Sequence, residues 1–302
     1  LKLTIVLHKI LYYGLVYPLS KLPFFILYRI SDALYLILYH IIRFRKEVVK
    51  QNLKNSFPNE SKTRLNNIER SFYRHFCDLF VESIKAFTIC EEDSKKRMIY
   101  KNVQLFNSLA TKKRNVTLMG GHYGNWELLA ISINAIMPHQ CIALYNPLKN
   151  LFWEGVMKKS RSRFGLQLTS IKNPTAIVRL KGQLSCTIYG SDQSPRNPNS
   201  AHWTTFLNQE TGFQRGAERF ARDKKDAIVF ARIRKIKRGF YETEFNLMYE
   251  EGTELPPNRI MEDYKMRLEA QIIEDPRYYL WTHKRWKHKR PLTPTIDKTI
   301  SS

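Results

Sequence analysis

VTLMGGHYGNWELLA, Val116 to Ala130, decides how this chain is read. Val116 to Met119 is a short apolar run of strand type, and Gly120, Gly121 and Gly124 break it sharply. A helix then begins near Trp126, with Asn125 placed to act as its N-cap. His122 falls on the turn and Glu127 in the first helical turn. On one continuous helix, residues five apart would point about 140° away from each other. Across a strand, turn and helix the imidazole can instead fold back onto the carboxylate, which would fix its tautomer and leave the other ring nitrogen to take a proton. That is a general base with an orienting acid. No G-x-S-x-G elbow is present and no Cys lies beside His122, so direct attack by a substrate hydroxyl is expected rather than covalent catalysis. The bland alternative is a tight turn carrying a structural histidine.

Outward from this corner, strand-like runs alternate with helical ones. Strands are expected at Val116–Met119, Cys141–Tyr145, Gln167–Ile171, Leu184–Tyr189, Ala227–Ile233 and Tyr241–Met248, and helices at Trp126–Ile136, Leu151–Phe164, Pro174–Lys181, Gln214–Lys224 and Ile260–Glu274. The alternation predicts an α/β fold, a central mixed sheet covered by helices. Residues 61 to 88 carry apolar side chains at helical spacing and read as a core-facing helix.

Residues 3 to 42 are the most apolar part of the chain, interrupted by His8, Lys9, Pro18, Lys21, Pro23, Arg29 and Asp32. A clean span needs about 20 predominantly apolar residues, and neither half offers that. No basic segment leads to a small-residue cleavage site, so the expectation is a retained anchor: residues 1–42 as helices lying in or dipping into a bilayer. A buried hydrophobic hairpin is the alternative. Residues 43–290 would form the catalytic domain and 291–302 a disordered tail.

The 302 residues include 50 Lys and Arg against 27 Asp and Glu, a formal net charge of +23. Such a field suits an acidic carrier protein, a phosphorylated substrate, an anionic membrane or nucleic acid, and charge alone does not choose. The four cysteines, Cys77, Cys90, Cys141 and Cys186, lie far apart, without C-x-x-C or metal spacing, so neither a zinc site nor a disulfide framework is expected.

The motifs together resemble the late acyltransferases of lipid A biosynthesis, the lauroyl and myristoyl transferase family, whose H-x-x-x-x-D/E motif sits in a setting like GGHYGNWE. Further ordered matches are RKEVVKQNLKNSFP (45–58), YNPLKNLFWEGVMKKSRSRFG (145–165), SDQSPRN (191–197) and IIEDPRYYLWTHKRWK (272–287). Glu rather than Asp at the second motif position favours the lipid A branch over relatives that acylate glycerol phosphates. The stretch after Asp192 and Gln193 is looser than the family's usual text.

The resemblance implies a glycerolipid acyltransferase-like fold and transfer of a fatty acyl chain from acyl carrier protein to a hydroxyl of a lipid A precursor, with His122 and Glu127 as the catalytic pair. It implies no cofactor beyond the acylated carrier protein and no metal. It places the protein at the cell inner membrane with its catalytic domain on the cytoplasmic side. Arg161 is carried over as an oxyanion-stabilising or substrate-positioning cation with Arg163 as the alternate, either of which could instead be solvated charge. Asp192 is expected to orient Arg161 or the His122 loop, or only to form an Asx turn. Asn125, and Tyr145 with Asn146, are weaker candidates for lining the pocket. The segment YYLWTHKRWKHKR (278–290) has the composition of a headgroup contact, aromatic rings interleaved with cations. Stacking on nucleic acid is the rival for that segment, but no nucleic-acid-binding signature accompanies it and nucleic acid is not expected as a partner. The competing functions are acylation of another glycolipid or phospholipid, or a non-enzymatic basic membrane- or nucleic-acid-binding protein.

Overall fold

The computed structural model describes residues 2–171, 182–251 and 253–291. In chain order its elements are α1 Lys2–Leu11, α2 Tyr17–Lys21, α3 Phe24–Tyr35, α4 Lys46–Ser56, α5 Lys62–Lys85, α6 Glu91–Arg97, β1 Met98–Lys101, α7 Gln104–Thr111, β2 Val116–Gly120, α8 Trp126–Ser132, β3 Gln140–Tyr145 and α9 Leu151–Arg161. They continue with β4 Gln167–Ser170, β5 Ser185–Gly190, β6 His202–Phe206, β7 Gln209–Phe213, α10 Gly216–Lys224, β8 Ala227–Lys237, β9 Phe240–Tyr249 and α11 Arg259–Glu274. The helix expected at Pro174–Lys181 and almost all of the expected tail lie outside the described residues.

Seven strands form one sheet in the order β1-β9-β8-β2-β5-β3-β4, and β6 and β7 pair separately as an antiparallel ribbon. Every neighbouring pair in the large sheet is parallel except β8 and β9, which form a hairpin turning at Arg238 and Gly239. The sheet is thus mixed and helix-covered, an α/β fold. Val116, Thr117, Leu118 and Met119 are all buried, as a strand covered on both faces requires. The β2–β5 register pairs Gly120 with Gly190, so both strands end level and their following loops emerge side by side. In open parallel sheets the carboxyl ends of the strands are where ligands bind.

Of the N-terminal helices, α2 and α3 pack onto α5 and α1 packs onto α9. α3 continues through a wider helical turn, Leu36–Ile41, and buries Leu27, Ser31, Tyr35 and Tyr39, one residue in four. Ser31 Oγ donates to Asp78 Oδ1 (2.8 Å) and Tyr28 Oη to Glu82 Oε1 (2.9 Å), both acceptors on α5. Asp32, one of the charges that interrupt the apolar segment, pairs with Arg238 of the hairpin turn at 2.7 Å. Phe24–Ile41 is the one described helical run long and apolar enough to cross a membrane by length and composition.

Candidate active site

His122 follows β2 by two residues and Asp192 follows β5 by two, GGH and GSD at the ends of adjacent parallel strands. That equal offset brings them together. His122 Nδ1 lies 2.6 Å from Asp192 Oδ1, and the His122 backbone N–H donates to Oδ2 at 2.8 Å. An ionised carboxylate only accepts, so Nδ1 carries the proton and Nε2 is the free lone pair. The side-chain amide of Gln193 sits 3.1 Å from that Nε2, where it can donate. Trp126 stands edge to face against the imidazole, centroids 5.3 Å apart.

The sequence expectation that Glu127 orients His122 is therefore corrected. Glu127 is held by Arg161, whose Nε donates to Oε2 (3.0 Å) and Nη2 to Oε1 (2.6 Å) in a bidentate fork. The reason is topological: α8 carries Glu127 away from the strand end toward α9, while β5 delivers Asp192 beside the ring. Asp192 acts on His122 itself rather than on Arg161.

Electrostatics follow from these pairs. Burial pushes the His122 pKa down, but the charge and hydrogen bond of Asp192, aided by Glu127, outweigh burial and the opposing Arg161, and the net shift is upward. Burial disfavours the Asp192 carboxylate, yet the His122 charge, the ring and backbone N–H bonds from His122, and Arg285 hold it below the ordinary value. Arg285 is 2% exposed, lies over the Phe213 ring and donates from Nη2 to Gly212 O at 2.8 Å. His283 accepts the Ser194 N–H at Nε2 (3.1 Å), and burial drives its pKa down to about 4. Among the described residues no group of His, Cys, Asp and Glu is arranged to hold a metal ion.

The other expected site residues are placed differently. Asn125 does cap α8, accepting the Leu128 N–H at 2.7 Å, but it is buried and its amide donates to Glu82 Oε2 (2.6 Å), so it braces the corner, and the small void it borders with Phe24, Glu82 and Leu128 is not the His122 site. Arg163 is not an alternate to Arg161: its guanidinium binds the carbonyls of Ala86 (3.2 Å) and Ile89 (2.7 Å) after α5. The Tyr145 hydroxyl is engaged by Glu154 of α9. The C-terminal segment is not a headgroup contact as far as Arg285, since Tyr279, Trp281 and Arg285 are buried. It straps the corner: Leu280 N–H donates to His122 O (3.1 Å) and Gly124 N–H to Tyr278 O (3.0 Å). Trp126, His283 and Arg285 around the dyad were not found as site residues from sequence.

A family model described as bacterial lipid A biosynthesis acyltransferase matches residues 1–288. The chain belongs to that family, and it is an acyltransferase of lipid A synthesis. It is similar to the lipid A biosynthesis palmitoleoyltransferase of Escherichia coli (strain K12), 20% identical over 275 residues that cover 91% of this chain and 89% of the relative. The lipid A biosynthesis acyltransferase of Shigella flexneri is similar to the same degree, 20% identical over 275 residues. Membership in an acyltransferase family overturns the non-enzymatic alternative.

Proposed function

We propose that this acyltransferase moves a fatty acyl chain from acyl carrier protein to a hydroxyl of a lipid A precursor, with His122 as general base and Asp192 as its orienting carboxylate. One observation carries the reading: the Asp192 pair fixes the Nδ1 proton and leaves Nε2 as the acceptor at the carboxyl end of the sheet. The acceptor hydroxyl would take the place of the Gln193 amide, give its proton to Nε2 and attack the thioester carbonyl. The C–O bond forms to give a tetrahedral oxyanion, its collapse breaks the C–S bond, and His122 returns the proton to the departing thiolate. Negative charge on the tetrahedral oxygen would be met by Arg161, whose Nη1 is left over from the fork with Glu127. Glu127 thereby acts by aiming Arg161.

The exposed apolar side chains of α1 and α3 favour a protein seated in the face of the inner membrane, catalytic domain on the cytoplasmic side, where acylated carrier protein is met. The test is acyl transfer by purified protein from acylated carrier protein to a lipid A precursor. His122→Ala should lower the rate by about 10²–10⁴-fold without loss of fold. Undiminished transfer by that variant would remove the mechanism.

A further inference from the structure

A cleft of about 690 Å³ opens between the N-terminal helices and α9. Its walls carry Lys21, Lys85, Lys159 and Arg163 with Tyr12 and Tyr17, and no Asp or Glu lines it. Among the described residues none of the four cations is in an ion pair. Their bonds go to neutral carbonyls instead, Lys85 Nζ to Leu22 O at 2.9 Å and Arg163 to Ala86 and Ile89. Each keeps N–H donors in hand: three on the ammonium of Lys21 or Lys159, two on Lys85 and three on Arg163 after those bonds. Burial, opposed by Asp93 and reinforced by Arg97, holds the Lys85 ammonium below its ordinary pKa, so this cation gains from a nearby anion.

Position gives the cleft its meaning. One wall is the α1–α2 rod, whose exposed Leu7, Ile10 and Leu15 present an apolar surface suited to lipid. Tyr12 lies within 5.9 Å of both Phe87 and Trp153, a cluster of amphipathic rings of the kind found at headgroup depth. The other wall is α9. At 100° per residue Lys159 lies about 200° from Arg161 on that helix, so one face presents the cation of the His122 site and the opposite face a cation of the cleft. The volume fits a compact headgroup, and convergent Lys and Arg with phenol O–H groups match a phosphate monoester better than the convex face of an acidic protein.

We propose that this cleft binds a phosphate group carried by a membrane lipid. Building on the proposed function, that lipid is the acyl acceptor, anchored here by its phosphate while its hydroxyl meets His122 on the far side of α9.

The test uses the full chain in neutral phosphatidylcholine nanodiscs and two single-charge variants of one helix, Lys159→Gln in the cleft and Lys158→Gln outside it. KM is measured for a phosphorylated lipid A precursor and for the same precursor after phosphatase treatment. Lys159→Gln should raise KM for the phosphorylated acceptor about tenfold, with kcat within about twofold, and leave KM for the treated acceptor unchanged. Lys158→Gln should change neither. Equal responses of the two variants, or equal use of both acceptors by the unmodified protein, overturn the proposal. Should the unmodified protein transfer no acyl chain at all, the proposed function fails and a binding arm still decides this one. In that arm, the part of the tryptophan fluorescence change that Trp153→Phe abolishes follows binding to nanodiscs doped with the precursor, with phosphatidic acid, or undoped with inorganic phosphate added. A Lys159-dependent response to either doped lipid supports the cleft and says which lipid supplies the phosphate, whereas a response to inorganic phosphate alone overturns the lipid assignment.

Discussion

Asp192 accepts from both the ring and the backbone N–H of His122, and this double grip gives the imidazole its tautomer and its raised pKa. A general base works only when neutral. Because the folded pKa lies above the ordinary value of about 6.5, kcat/KM should fall as pH drops through a point above 6.5. Asp192→Asn removes the negative charge and lets an amide donate to Nδ1, which moves the ring proton to Nε2, where it blocks the attack. The expected result is a plateau lower by about 10²–10⁴-fold and an acid limb displaced downward in a pH–rate profile. An unmoved limb would mean that Asp192 does not set the basicity of His122. Glu127 acts differently if it works through Arg161. Glu127→Gln and Arg161→Lys should each slow transfer, and the double variant should be little slower than the worse single one, since residues acting as a unit are non-additive. Additive losses in kcat would give Glu127 a role of its own.

At the scale of elements, the site is a consequence of two parallel strands ending level. Their ends leave little room: a Cβ on Gly190 would lie 3.0 Å from His122 Cε1, and one on Gly124 would lie 2.7 Å from Ile233 Cγ2 at a φ of +59°. The two glycines should therefore fail in different ways. Gly190→Ala should push the imidazole off Asp192 and lower kcat about tenfold or more while the thermal midpoint holds. Gly124→Ala adds a left-handed strain of order 1–3 kcal/mol and should show first in chemical denaturation. The corner itself was legible because an apolar run, three glycines and an N-cap are local signals, and most strands and the α8 to α11 helices were found near their true bounds. β1 and the β6–β7 ribbon escaped because MIYK is short and HWTTF and QETGF carry too few apolar residues for a period to emerge. The partner of His122 was misassigned because pairing between β2 and β5, 65 residues or more apart in sequence, is a fact of topology. The one signal for it was the shared offset of GGH and GSD behind two β-like runs, and the placement of Arg163 on the carbonyls that follow α5 left no sequence trace at all.

For the whole molecule, α3 has two faces with different solvents. Ser31, Tyr35 and Tyr39 face α5, whereas Phe25 is 70% and Ile41 74% exposed, and Leu36, Ile37 and Ile42 join them on the surface. An apolar patch of that kind beside a chain of net charge +23 has two separable modes of membrane attachment. The electrostatic part is screened at high salt, over a Debye length of about 3 Å at 1 M. The apolar part is not. Burying two large side chains in lipid contributes roughly 3–5 kcal/mol, so Phe25→Ser with Ile41→Ser should weaken partition into vesicles by roughly 10²- to 10⁴-fold. Both positions point away from α5, so the thermal midpoint should stay near that of the unmodified chain. Sedimentation with neutral vesicles at 1 M salt isolates the apolar contribution. Release of the double variant there, with the unmodified chain retained, would place α3 in the membrane surface. Co-sedimentation of both to the same extent would mean that this face meets protein rather than lipid, and that α1 and the charge do the anchoring.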